Sequence, residues 1–311
     1  MLPERLSGIL LVDKPSGMTS HDSVMKVRRL SHERKIGHTG TLDPLAEGLL
    51  VMCLGKATKV VQFLVSEDKT YEAELHLGLR SSTYDAEGVE SGDREQPVPA
   101  MAVERLHNVL RSFLGKQKQT VPPYSAVHVD GERLYRLARA GREVTLPERE
   151  IEIKSIRVLS YGAPFLRIEV SCGKGTYIRS LANDIGNSFG CGAYLSKLRR
   201  TAVGSFSVRQ ALSLDDLERE GAAQSALIPI EQALGFSSLT VSEQFESSVI
   251  HGRLPRWSDI SGVEGTLHCG GTVLLRNTRG AILALALAGA ESQVSSFSGA
   301  SPVREYLRVL A

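Results

Sequence analysis

The 311-residue sequence lacks the features that would make it a stapled, fibrous or membrane-embedded chain. It has four cysteines, Cys53, Cys172, Cys191 and Cys269, the closest two 19 positions apart and none in a C-x-x-C pair. That spacing excludes a zinc ribbon, a thioredoxin-like motif and a disulfide framework, and predicts reduced, mostly buried thiols. The longest apolar run, residues 281–290, falls short of the roughly 18–20 residues that a bilayer-spanning helix needs. Residues 8–12 are too few for a signal-peptide core and lead directly into Asp13-Lys14-Pro15. A soluble, cytoplasmic protein is expected. There is no repeat, heptad array or low-complexity tract. A metal hydrolase built on His21, His32 and His38 is excluded, because no H-E-x-x-H and no carboxylate cluster accompany them. A P-loop at residues 173–176 is excluded too: Ile168 stands where the upstream glycine belongs, and Gly175 follows Lys174.

Charge of one sign is also missing from the total, with 37 Lys and Arg against 35 Asp and Glu for a net of +2. With 42% hydrophobic and 23% charged residues the composition is that of an ordinary globular chain. The length suggests about two domains and suffices to bury a core without staples. The near-neutral total conceals a segregation. Residues 111–210 carry 17 basic against 8 acidic residues, while 81–110 carry 2 against 6 and 211–311 carry 7 against 11. A central block with a net of +9 is an electrostatic footprint for a polyanion, although a basic solvated surface explains it equally well by itself.

Along the chain, residues 8–12 read as a short strand, and Thr19 or Ser20 caps a helix to about Leu30 with Val24, Val27 and Leu30 on one face. Residues 37–44 read as a loop, 49–54 as a buried strand and 56–65 as a helix. Residues 70–77 alternate, with Tyr71, Ala73, Leu75 and Leu77 on one face of a half-buried strand. Residues 81–99 are an acidic loop. Residues 102–114 have helical spacing through Val103, Leu106, Leu110 and Leu114. Residues 117–147 read as a basic surface insertion with a short helix near 134–139. Strands are expected at 151–158 and 165–172, a helix at 176–189 stopped by Gly190, and a short acidic helix at 212–220. Beyond Gly235, strand-like pieces at 266–275 and 281–287 around a turn at 277–280 suggest a separate, small β-rich unit.

The most unusual text is GHTGTLDPLAEGLL at residues 37–50, which sets one aspartate, Asp43, between Leu42 and Pro44 in a glycine-rich loop. On spacing alone an Asp-Pro turn explains it. The stretch resembles the catalytic loop of the bacterial TruB-type tRNA pseudouridine synthases, and further blocks follow in that family's order. These are GILLVDKPSG at 8–17, KTYEAELHLG at 69–78, QTVPPYSAVHVDG at 119–131, LYRLARAG at 134–141, GKGTYIRSLANDIG at 173–186 and CGAYLSKLRRTAVG at 191–204.

The resemblance implies an α+β pseudouridine synthase fold, with a central, mostly antiparallel mixed sheet flanked by helices and loops. It implies a catalytic domain over 1–235, with an RNA-gripping insertion at about 117–147, and a small β-rich PUA-like domain over 236–311. It implies an isomerase acting as a monomer on the T-stem-loop of tRNA, converting the uridine at position 55 in the TΨC loop. Asp43 would be the catalytic aspartate, Tyr71 the platform under the target base and Arg179 the partner of Asp43. His38 would fill space vacated by flipped bases, and Lys14, Tyr177 and Leu198 would support or line the pocket.

Elementary chemistry agrees with these roles. The isomerisation neither gains nor loses atoms overall, so no cofactor, nucleotide or metal is called for. A stacked base must be extruded to react. An aromatic platform holds such a base by ~1–3 kcal/mol. An ionised aspartate in a dry pocket needs a permanent cation beside it and is then able to act as a covalent nucleophile. The tyrosine hydroxyl is a candidate acceptor for the C5 proton. One departure is His128, where the resemblance calls for lysine. The rival class is a non-catalytic RNA-binding or tRNA-folding protein, which shares the basic block but has no use for a desolvated carboxylate that repels phosphate.

Overall fold

The computed structural model describes residues 6–89, 96–100, 102–129, 131–142, 144–289 and 301–310. Part of the acidic 81–99 segment, residues 90–95, lies outside the described residues, as do Asp130 and Glu143 of the insertion.

Among the described residues, twelve strands precede residue 235: β1 (Gly8–Lys14), β2 (Ile36–His38), β3 (Glu47–Leu54), β4 (Lys69–Leu77), β5 (Gly115–Thr120), β6 (His128–Val129), β7 (Glu132–Arg133), β8 (Glu148–Gly162), β9 (Phe165–Cys172), β10 (Ala193–Val203), β11 (Phe206–Ser207) and β12 (Leu212–Ser213). Ten of them form one sheet in the order β12-β1-β3-β10-β4-β9-β8-β5, with β2 beside β3 and β11 beside β10, while β6 and β7 form a separate hairpin. The sheet is antiparallel except where β1 meets β12 and where β3 meets β10. Helices α1 (Ser20–Ser31), α2 (Val61–Val65), α3 (Val103–Arg111), α4 (Leu134–Arg139) and α5 (Ile178–Phe189) accompany it. After residue 235, strands β13 (Ser238–Val241), β14 (Ile260–Glu264), β15 (Thr272–Arg276), β16 (Ile282–Ala288) and β17 (Val303–Val309) form a second sheet in the order β14-β13-β15-β16-β17.

Hydrophobic pattern explains how the layers stack. β1 and β3 read as unbroken apolar runs because both of their faces are covered. Leu10, Val12, Leu50 and Met52 face a core shared with Val24 and Val27 of α1 and with Ile178, Leu181 and Ile185 of α5. Ile9, Leu11, Leu49 and Val51 face the other way and share a cluster with Leu274, Leu285 and Leu310 of the second sheet. β4 alternates because only one of its faces is covered: Tyr71, Ala73, Leu75 and Leu77 are buried and Glu72, Glu74 and His76 are half-buried. Among the described residues no helix is long and apolar enough to cross a membrane.

Thr19 caps α1 through a capping box with Asp22, and Gly190 ends α5 in the left-handed region at φ 82°. Gly186 lets α5 press on β10, since a Cβ there would sit 2.2 Å from the Ala193 nitrogen.

Several elements differ from the sequence expectation. Residues 55–65 are a 3₁₀ turn followed by the short α2 rather than one helix. α3 is shorter than expected, and its inner face is Leu106 and Leu110, with Val103 and Leu114 exposed. Residues 117–120 are not surface insertion. They belong to β5, whose alternating Lys and Gln carry no hydrophobic period to mark an edge strand. In place of an acidic helix at 212–220 stand β12 and a 3₁₀ turn at Asp216–Glu218, because parallel pairing of Val12 with Leu212 captures the chain. Cys53, Cys172 and Cys191 are buried as expected, and Cys269 is exposed.

Candidate active site

Asp43 lies at the tip of a hairpin formed by β2 and β3, in a loop pinned on both sides of the aspartate. The Leu42 amide donates to Ser20 Oγ at 2.8 Å and the Leu42 carbonyl accepts from the same hydroxyl at 3.0 Å. The Pro44 carbonyl accepts from the Gly17 amide at 2.8 Å. The Asp43 side chain is 38% exposed on this fixed support.

Arg179, on the first turn of α5, is buried and meets four groups from three loops. Its Nε approaches Asp43 Oδ2 at 2.9 Å, off the N–H axis, so the contact is a charge pair rather than an aligned hydrogen bond. Its Nη1 lies 3.4 Å from Asp85 Oδ2 and donates to the Thr83 carbonyl at 3.2 Å. Its Nη2 donates to the Tyr124 carbonyl at 3.0 Å. One permanent cation thus joins the aspartate loop, the 81–89 loop and the insertion.

These groups open on a cleft of about 400 Å³ lined by Asp43, Tyr71, Tyr177, Arg179 and Leu198, with Asp85, Tyr124 and Arg139 completing the rim. This volume falls within the range of small-ligand sites. Tyr71 is 8% exposed, and burial pushes its phenol above its ordinary pKa, so it is neutral at pH 7. Tyr177 is the N-cap of α5, and the Arg149 guanidinium sits 5.0 Å from its ring centre.

Two of the residues singled out by sequence lie outside the lining of this cleft. Lys14 is fully buried and donates from Nζ to the carbonyls of Pro15 at 2.8 Å and Met18 at 2.6 Å. It shapes the turn whose Gly17 holds Pro44. Burial, the largest influence, lowers its pKa. His38 is half-buried, and its Nδ1 is enclosed without a hydrogen-bond partner among the described residues. Burial, reinforced by Arg200, holds its imidazole below the usual histidine range. His128 is exposed and sits opposite Arg133 in the small β6–β7 hairpin.

Three site residues escaped the sequence reading. Asp85 is 3% exposed and second partner to Arg179, yet it sits in a stretch whose acidity suggests solvent. Gln119, also buried, clamps Tyr177 by accepting from its amide at 2.9 Å and donating to its carbonyl at 3.0 Å. Arg200 is 1% exposed although it counts toward the basic block. No local signal distinguishes these three from surface polar residues.

Comparison with known proteins bears on this geometry. Residues 28–178 match the model of the TruB family pseudouridylate synthase N-terminal domain. Residues 179–235 match that of the tRNA pseudouridylate synthase B C-terminal domain. The chain is 45% identical over 243 residues to tRNA pseudouridine synthase B of Xanthomonas axonopodis pv. citri, covering 77% of this chain and 78% of that protein. It is 44% identical over 265 residues to the protein of the same name from Geobacillus thermodenitrificans, covering 81% and 86%. Among solved structures, an H/ACA ribonucleoprotein bound to a substrate RNA containing 2′-deoxyuridine superimposes with a TM-score of 0.72 at 25% identity, over 97% of this chain and 85% of that one. A Cbf5–Nop10–Gar1 complex gives 0.70 at 27%, over 97% and 85%.

Proposed function

The chain belongs to the TruB family of pseudouridylate synthases, and we propose that it converts the uridine at position 55 in the TΨC loop of tRNA to pseudouridine. The observation that carries this reading is the Asp43–Arg179 pair at 2.9 Å on the wall of a cleft that also presents Tyr71. A binding module gains nothing from a carboxylate held there, whereas an isomerase needs one.

In this reading the target nucleotide leaves its stack and enters the cleft, where the uracil lies on Tyr71. Arg179 pairs with Asp43 and aims it as water is expelled. Asp43 acts on the bound nucleotide and the bond between N1 and C1′ breaks. The freed uracil turns within the cleft, C5 bonds to C1′, C5 loses its proton and N1 gains one. Atoms balance without a cofactor. Because burial keeps the Tyr71 phenol protonated near neutrality, it would have to lose its own proton before accepting the one from C5. Its main role is therefore stacking, and Leu198 and Tyr177 close the cavity around the base.

The exposed Arg133, Arg136 and Arg139 of the insertion supply phosphate contacts. In this reading the protein acts as a monomer. Residues 1–235 carry the chemistry and residues 236–311 form a PUA-like accessory domain, with Arg253 and Arg256 exposed there. The setting is the cytoplasm.

The decisive experiment uses unmodified tRNA tritiated at uracil C5. Release of tritium to water is expected with wild-type protein alone, and none from a tRNA carrying cytidine at position 55. Absence of release at stoichiometric protein favours the rival reading as an RNA-binding protein. Affinity for tRNA should also fall steeply with salt, and a flat profile refutes the polyanion footprint.

A further inference from the structure

Arg200 has the largest fully buried side chain among the described residues. A buried guanidinium is retained only where its donors are well satisfied. Here the aligned donors end on main-chain carbonyls of one hairpin: Nε on Leu49 at 2.7 Å, Nη2 on Gly40 at 3.0 Å and Nη1 on Thr41 at 3.5 Å. Gly40 and Thr41 precede Asp43 and Leu49 follows it, so the guanidinium ties the two arms of the loop that carries the carboxylate.

The same side chain faces the second reactive-site group. Arg200 and Tyr71 are directly opposed across β10 and β4, which puts their side chains on one face of the sheet. The backbone is cut to fit this arrangement. Gly48 pairs with Arg200 at φ 99°, and a Cβ there would lie 2.4 Å from the Arg200 carbonyl oxygen and 2.8 Å from its nitrogen. At Gly40 a Cβ would make only ordinary contact with Nη1, at 3.5 Å, so that residue enters through its carbonyl. β3, β10 and the catalytic loop therefore converge on this one guanidinium.

We propose that Arg200 is a positioning residue for the reaction: it locks both arms of the Asp43 hairpin to β10, directly opposite Tyr71 on β4, so that carboxylate and aromatic platform meet the flipped base at one spacing. This rests on the reading of the cleft as a uridine isomerase. Lysine keeps the charge but cannot fork onto three carbonyls, and glutamine loses both charge and fork.

The test compares R200K and R200Q with wild type in single-turnover tritium release, tRNA affinity, hydrogen exchange of the 39–44 amides and absorbance titration of tyrosine in the free protein. A misplacement of the reacting groups predicts a rate loss of about 10²-fold for R200Q and about 10-fold for R200K, with affinity within about threefold. Exchange at 39–44 should quicken in both variants. The Tyr71 titration should move further up in R200Q alone, which a purely packing role would not produce. Rates within threefold of wild type in both variants, unchanged exchange at 39–44, or failure of both variants to fold would overturn the proposal. If wild-type protein releases no tritium, the functional reading fails, while exchange and titration still decide whether Arg200 sets the hairpin.

Discussion

The two sheets of this molecule differ in what they bury. Among the described residues, the large sheet and its surroundings bury the charged Lys14, Glu33, Lys69, Asp85, Arg179 and Arg200, whereas the five-stranded sheet and its surroundings bury only Ser238 and Asn277 among polar side chains. Enclosed charge is expensive and is found where chemistry or binding requires it. Lys14, Arg179 and Arg200 end on carbonyls or carboxylates of the Asp43 loop or of the segments that meet it, and Lys69 ends on the Val65 carbonyl at the end of α2. The C-terminal sheet instead contributes apolar area, through Leu274, Leu285 and Leu310, to the back of the strands that carry the site.

The sharpest way to break this contrast is Asp43→Asn. Turnover should fall by about 10³-fold or more, while tRNA affinity stays within a few-fold. Loss of binding by a folded Asp43→Asn protein would make the residue structural. Next in size is Arg179→Met, which leaves the buried Asp85 unpaired. Turnover should drop about 10²-fold, and unfolding in urea should show a loss of about 3 kcal/mol. An effect on rate with no effect on stability would mean that the three loops hold together without it.

Leu285→Ala probes the other region. It should lower stability by about 3 kcal/mol through a cavity at the seam, with turnover unchanged well below the unfolding transition. A comparable fall in turnover would show that the second sheet takes part in catalysis. The smallest effect is alkaline. Burial pushes Tyr306 up to about 12 and also raises Tyr71. A folded pKa above the unfolded value gives stability that is intact below pH ~10 and lost as pH climbs through the folded pKa. Tyr306→Phe should therefore remove a late component near pH 12 from the absorbance titration and soften the loss of stability above pH ~10. Titration of that residue at an ordinary tyrosine pKa would contradict its enclosure.

Legibility followed locality. The helix over 178–189, its Gly190 stop, the cap at Thr19 and the alternation of β4 depend on neighbours within a few residues, and the sequence pattern shows them. The edge strand β5 and the strand β12 depend on partners far along the chain, and local text misleads there. The site divides in the same way. Asp43 stands out because its loop is chemically odd. Asp85 and Gln119 are ordinary residues brought to the cleft residues Arg179 and Tyr177 only by the fold. The basic block shows the limit of counting: Arg179 and Arg200 swell its net charge yet are enclosed, while Lys116, Lys118, Arg133, Arg136 and Arg139 are among its exposed cations.

The sequence by itself determined which segments alternate, which run apolar on both faces and where turns interrupt them, because those properties follow from residue type and spacing. It also set the chemistry available, a loop aspartate, a strand tyrosine and a helix arginine. Only the tertiary structure decided which charges lose their water. Arg179 reaches Asp43, Asp85 and Tyr124, and Arg200 reaches Gly40, Thr41 and Leu49, across separations that no local pattern encodes. The reason is physical: desolvation is a property of the assembled surroundings, and a charge becomes a tool or a solvated ornament according to what packs around it.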